Sequence, residues 1–394
     1  MATKNKGEVS EFYAFVSILG NRVVELVDGS LHLLGDQVHF LKVFRKEDVE
    51  ISYELTDDGK LCITKNGSTD IVDRQLVRNY ANQLLNLIQS SDESIDESDP
   101  KIGQLKNLLL TDRLSAKSSD KSDFTGVVTS PHQPHTHTLG FSVKSHLGAA
   151  PTLVNANKDN SLFLFEIVAA DGRQLTEQDR LTLSEIKTQI EEKRNIRPRI
   201  ALLRKHGYVL KFSRTSSALD YTLRIIDSRF PEILAELLLE HYSSSSGRKQ
   251  RTLSDLVDIC CSHYRDTACF SGLGNTEGEI RMSVQYKMQN FLLAFSTGAT
   301  VSKKWDGKDL ANGGFIVVLQ DGRVVCLELF TRNSIGQYLL ENTVFDTPST
   351  KRHDGGRLDL SGDKPMFGLQ LQVRFKDHKS ADTSEPSNQA LICE

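Results

Sequence analysis

Hydrophobic positions along this chain fall into two kinds of pattern, one with helical spacing and one that alternates. Residues 5–20 place Phe12, Phe15, Val16 and Leu19 on one side of an amphipathic helix. Residues 37–65 read as short strands with Asp57-Asp58-Gly59 as a turn. A helix is expected over 74–89, ending before an acidic loop at 91–100. A polar stretch, 115–122, precedes a strand at 123–129, and the prolines of 130–137 mark a loop. In the next strand, 140–145, Phe141 and Val143 fall on one side and Ser142 and Lys144 on the other. A third strand at 161–169 (SLFLFEIVA) is apolar enough for a central place in a sheet.

Beyond it the pattern gives helices at 176–194, 231–242 and 253–263. The first opens on a capping-type Thr-Glu-Gln-Asp and the second on a proline suited to a first turn. Residues 315–319 and 324–330 form a hairpin across Gln320-Asp321-Gly322. No internal repeat is visible. The mixture predicts an α/β (mixed α+β) protein with a mixed central sheet flanked by helices. The serine run 243–247 is the best domain boundary. It suggests a core at 1–242, a linker at 243–250, a further region at 251–376 and a flexible tail at 377–394.

Composition narrows the class. With 394 residues the chain can bury a substantial core as one large domain or two ordinary ones. No apolar run reaches the length of a membrane span, and the start MATKNK lacks a signal peptide's apolar stretch, so the expectation is a cytoplasmic protein without membrane contact. Six cysteines form no Cys-x-x-Cys pair, and adjacent Cys260 and Cys261 do not suit one structural zinc. The net charge of −4 gives no global basic field. Charge is uneven, however. Residues 190–230 carry ten Lys/Arg against four acids, whereas 91–100 carry five acids and no base. A basic middle in a mildly acidic whole suits an enzyme that concentrates cations in a cleft.

An aspartate on one strand and an X-x-Lys on the next is how metal-dependent nucleases assemble their centre. Asp123 with Ser142 and Lys144 has that form, with Ser142 in the place of the usual second acid. The aspartate would hold a divalent cation, and the lysine would contact the attacking water or the scissile phosphate. Magnesium takes carboxylate oxygens and several waters, so a further acid is expected nearby. Glu11 is the first choice, on a helix face shared with Glu8. Glu166 is the rival, a carboxylate in a very apolar strand. His132, His135 and His137 offer zinc-type ligands, yet no cysteine or acid completes a set, which favours an exposed polar loop. Arg332, Asn333, Ser349, Thr350, Lys351, Arg352 and His353 combine cations, amide and small hydroxyls suited to base readout or phosphate clamping. The cations of 193–214 suit phosphate contact.

Three segments carry a resemblance to a known family. GFSVKSHLGAAPTLVNA at 140–156 looks like the central motif of the HpaII-type restriction endonucleases. NKGEVSEFYAF at 5–15 is similar to that family's Asn-Lys-Gly-Glu-Trp-Ser-Glu start, with Val9 in the tryptophan's place. NGGFI at 312–316 through TPSTKRH at 347–353 completes the order, and the resemblance spans roughly 5–375. It implies a restriction-endonuclease-like core with an additional C-terminal DNA-recognition part. It also implies Mg2+-dependent cleavage of double-stranded DNA within CCGG, and a cytosine methyltransferase acting on the same site. Asp123 and Glu11 would hold the metal, with Ser142 and Lys144 beside them. Nucleases that cut CCGG-containing sites include a Ser-x-Lys version with the acid displaced downstream, which keeps Glu166 open. A palindromic target suits a two-fold homodimer. The alternative in a different class is a DNA-binding protein that kept the fold and lost a carboxylate.

Overall fold

The structure is a computed structural model that describes residues 3–376 except 93, 116–121, 194, 244–250, 265–266, 349 and 354. The expected tail at 377–394, all but one residue of the expected linker, and Ser349 therefore lie outside the described residues.

In chain order, α1 (Lys6–Asn21) leads into β1 (Val23–Val27), the long β2 (Leu33–Lys46), β3 (Glu50–Leu55), β4 (Lys60–Lys65) and β5 (Ser68–Asp73). Then come α2 (Arg74–Ser90), α3 (Pro100–Leu108), β6 (Phe124–Ser130), β7 (Gln133–Ser145) and β8 (Leu162–Ala169). Next are α4 (Glu177–Glu192), α5 (Ile196–Lys205), β9 (Tyr208–Thr215), α6 (Ser217–Ile226), α7 (Phe230–Ser243), α8 (Leu253–Tyr264) and α9 (Glu277–Thr297). Later elements include β10 (Gly314–Val318), β11 (Val324–Glu328), α10 (Arg332–Asn342), β12 (Leu358–Asp359) and β13 (Met366–Gln370).

A nine-stranded sheet in the order β1-β11-β10-β7-β6-β2-β3-β4-β5 holds the candidate site. β1 also pairs with β2, so six of its strands close on themselves. Closure is made by the length of β2, whose first half pairs with β1 and whose second half pairs with β3 on the same side. β7 lies between antiparallel β6 and parallel β10. Its alternation is as the sequence predicts, with Phe141 and Val143 buried beneath α1. Phe141 packs 5.2 Å from Phe40 and 5.7 Å from Phe124, ring centre to ring centre.

The second sheet, β9-β8-β13-β12, packs on α4 to α9 in a separate apolar cluster. The 161–169 strand does have a neighbour on each side, as its apolar content suggests, but in this second sheet. The boundary at 243–250 separates stretches of chain and does not separate sheets. β10 from the C-terminal region pairs with the motif strand, β11 lies next beyond it, and β13 pairs with β8. The 130–137 stretch is also revised. Its loop is only Pro131-His132, after which β7 begins at Gln133. The irregularity between Val128 and Ser130 of β6 leaves Pro134 of β7 without a register partner, where a missing N–H costs no ladder bond, and Pro131 lies in the turn.

Candidate active site

The helix that brings Glu11 inward is set by the motif at its start. Asn5 caps α1, its Oδ1 accepting from Glu8 N at 2.9 Å while Glu8 Oε2 accepts from Asn5 N at 3.3 Å. Glu8 is thereby committed to the cap and to Lys4 at 3.3 Å. Glu11 lies one turn further on, beside the fully buried Phe12. The loop after β7 closes on the same turn, since a Cβ at Gly148 would meet Gly7 N and Lys6 Cβ at 3.0 Å. The N-terminal and central motifs therefore touch.

Asp123 stands directly before β6. Its N–H donates to Phe141 O at 2.8 Å, and its Oδ2 accepts from Val143 N at 2.6 Å. Lys144 Nζ donates to Ser142 Oγ at 2.9 Å, and Ser142 neighbours the Asp123 carboxylate. Burial pushes the Asp123 carboxyl up, while Lys144, the Val143 amide, Ser142 and Arg45 oppose that. Burial, and then the charge of Asp123, push Glu11 up to about 8, with Lys144 opposing. The structure thus brings Glu11, Asp123, Ser142 and Lys144 together.

Glu166 is not brought to this group. It sits on β8, opposite Lys211 of β9, with Lys364 Nζ 2.9 Å from its Oε2. Its strand alternates inward phenylalanines with outward residues, and Glu166 is one of the outward ones. That removes the burial which made the carboxylate notable in the sequence.

A cleft of about 520 Å³ opens beside Asp123, lined also by Lys46, Glu50, Ser122, Gly140 and Leu310. Gly140 is required there, because a Cβ would strike the Leu310 carbonyl oxygen. Asn312 Oδ1 accepts from Gly140 N at 2.8 Å, and Gly313 N donates to Gly140 O at 2.8 Å, so NGGFI supports the start of the motif strand.

Sequence reasoning missed Arg45. This guanidinium is 5 % exposed, lies 4.8 Å from the Phe15 ring centre, and is paired with Glu47 at 3.3 Å. Glu47 is itself held by Asp112 N at 2.9 Å and the Thr111 hydroxyl. The only local signal was a basic residue interrupting an alternating strand.

Two carboxylates that oppose each other's ionisation beside a single ammonium form a donor set short of positive charge. A divalent cation would relieve that, and magnesium is content with two carboxylates and water. Asp123 and Glu11 fit such an ion. Among the described residues no group of three His, Cys, Asp or Glu could hold a metal. That includes the histidine loop. His132 Nδ1 lies 2.8 Å from Glu328 Oε2, and its ring stacks on Phe330 at 5.2 Å.

The residues expected to contact DNA have separate supports. Arg332 and Asn333 begin α10, where Arg332 lies 3.8 Å from Asp309 and 3.3 Å from Asn290. Residues 350–353 form a short helical turn, with His353 O accepting from Gln370 Nε2 at 2.6 Å and Arg352 exposed. From the basic set, Arg199 is drawn inward to the carbonyls of Lys193, Gly355 and Gly356, whereas Arg204, Lys211 and Arg214 stay exposed.

Comparison with known proteins gives this arrangement its class. Residues 5–375 match the family model described as HpaII restriction endonuclease. The chain is 32 % identical over 373 residues, 94 % of its length and 98 % of the other's, to the type II restriction enzyme HpaII of Haemophilus parainfluenzae. No solved structure matches it. The protein is a type II restriction enzyme, a site-specific deoxyribonuclease. Within that class it belongs to the HpaII restriction endonuclease family. Among the described residues no helix is long and apolar enough to cross a membrane.

Proposed function

We propose that this chain hydrolyses double-stranded DNA within 5′-CCGG-3′, that Mg2+ is its cofactor, and that Asp123 and Glu11 hold the ion. The observation that carries this reading is the meeting of Glu11, from the first helix, with Asp123 and the Ser142–Lys144 pair. The acid absent at position 142 is supplied from α1. When bound, the metal neutralises charge on the dividing phosphate and lowers the pKa of the attacking water.

The chain's own residues prepare that event. The Val143 amide fixes one Asp123 oxygen. Ser142 supplies no charge; it anchors the Lys144 ammonium beside Asp123. Lys144 then presents a cation at a defined place on the strand face, where it contacts the water or the scissile phosphate as negative charge builds. Arg352 and His353, with Arg332 and Asn333, read or clamp the site, and Arg204 contacts phosphate. A palindromic tetranucleotide places two copies of the chain about a two-fold axis. A host cytosine methyltransferase modifies the same sequence.

Incubation of plasmid DNA with the protein and Mg2+ tests this. Discrete fragments ending within CCGG, lost with a chelator and with CCGG-methylated DNA, are the expected result. A gel shift without cutting would replace the reading with a binding protein, and fragments ending elsewhere would remove the CCGG assignment.

A further inference from the structure

Leu310, on the wall of the catalytic cleft, ends a loop, 301–310, that leads away from it. This loop is pinned at several points. Trp305 N donates to Thr222 Oγ1 at 3.2 Å, and Trp305 Nε1 donates to Lys308 O at 2.9 Å. Leu310 N donates to Thr297 O at 2.8 Å, and Asp309 accepts from the Thr297 hydroxyl. Asn160 Nδ2 reaches Ser302 Oγ at 3.2 Å. On this fixed frame Lys303 and Lys304 are exposed, and Lys304 Nζ stands 5.2 Å over the ring of Tyr221, itself 47 % exposed. Lys308 is engaged with Asp306 at 3.3 Å and is not part of the argument.

The neighbours extend the same chemistry. Tyr221 lies on α6, which directly follows β9 with its exposed Lys211 and Arg214. Asn160 stands two residues after Lys158, on the rim of a second cleft of about 620 Å³ that also carries Lys187 and Arg357. Acids Asp159 and Asp359 line that cleft too, so its net charge is small. The concentrated cation lies on the loop, with an aromatic face beside it.

We propose that the 301–310 loop, through Lys303 and Lys304 with Tyr221 beside them, is a phosphate-contacting rail for duplex DNA flanking the cut site. It rests on the reading of the chain as a DNA-cutting enzyme and adds where the substrate runs once it leaves the cleft. Ordered cations on a rigid loop bind phosphates with little ordering cost. Each phosphate contact displaces condensed counterions, which gives the rail a signature in salt.

The test uses the full chain with Ca2+ in place of Mg2+ for binding, and Mg2+ for cleavage. The variant is Lys303→Ala/Lys304→Ala. Against a duplex with long flanks the double variant should lose about tenfold in affinity and about two units of salt slope. Against a duplex trimmed close to the site it should bind like wild type, and it should still cut that duplex at the wild-type rate. Tyr221→Ala should give a smaller loss with the same dependence on flanks, and Tyr221→Phe should give none. A wild-type salt slope in the double variant overturns the rail while leaving the nuclease intact. A wild-type protein that neither cuts nor binds overturns the underlying reading, and the rail with it.

Discussion

The motif strand β7 and the strand β8 are alike in outline and opposite in electrostatics. Each sits between two neighbours, buries alternate aromatic and aliphatic residues, and shows one charged side chain on its other face. On β8 the charge is Glu166, flanked by Lys211 of the adjacent strand and by Lys364 from the bend before β13. On β7 the charge is Lys144, and the groups around it are two carboxylates driven towards their protonated forms. The first arrangement is complete in itself and gains little beyond solubility. The second is short of cation. A charged residue in an apolar strand becomes informative only when its neighbours leave the charge uncompensated.

The contrast is broken most severely at the lysine. Lys144→Ala should lower the cleavage rate by at least about a thousandfold while specific DNA affinity stays within about tenfold, because the ammonium acts mainly on the transition state. Single-turnover kinetics beside equilibrium binding read both quantities. Asp123→Asn should fail similarly, and raised Mg2+ should restore it poorly. Normal cutting by either variant would move the centre elsewhere.

The acids come next. Glu11→Gln should cost at least about a hundredfold in rate with the fold intact, as expected on loss of a metal ligand. Glu166→Gln should cut within about twofold of wild type, because it disturbs only an exposed ion pair. The reverse ranking in a digestion time course would exchange the two assignments.

Readout effects are smaller. Arg352→Ala should lose about 1–3 kcal/mol of discrimination at one base pair. Arg204→Ala should weaken binding to every sequence alike and lower the salt slope by about one unit. Binding to single-base variants across a salt series separates the two, and a uniform loss for Arg352→Ala would shift specificity to Arg332 and Asn333.

The smallest effect sharpens the contrast without any DNA. The folded Glu11 carboxyl keeps its proton to about 8, against 4.5 ordinarily, so in chelator the folded state binds more protons across that window. Stability contributed by this group is present at low pH and is lost as pH rises through about 8. Glu11→Gln should therefore raise Tm at pH 9 relative to wild type, by about 1 °C for each kcal/mol recovered in a chain of this length, and much less at pH 5. An equal shift at both pH values would mean that the charge of Glu11 is not the cause. Glu166→Gln should show no such pH dependence.

What could be read from the sequence follows how local each signal is. The capping residues of α4, the alternation around Lys144 and the hairpin turn at Asp321-Gly322 depend on neighbours a few positions away, and the structure bears them out. The pattern gives no helix over 277–297. There Ile280, Val284 and Met288 keep one face, but from Phe291 to Thr297 every position is buried and helical periodicity disappears. Sheet membership was equally hidden, because pairing of β8 with β13 joins residues about two hundred positions apart. Arg45 was invisible for the same reason. Its burial is created by α1 and the 111–113 segment, neither of which marks it locally.

The place of β10 in the sheet also sets a timetable for biosynthesis. The strand bearing Ser142 and Lys144 ends at Ser145, yet the neighbour on its far side ends at Val318. At roughly 5–20 residues per second, some 10–35 seconds of translation separate the two. Throughout that interval the growing chain holds the chemical groups for cutting without the scaffold that aligns them. A cell making a site-specific deoxyribonuclease of this family thus receives that activity late in each round of synthesis, when most of the polypeptide has already been made.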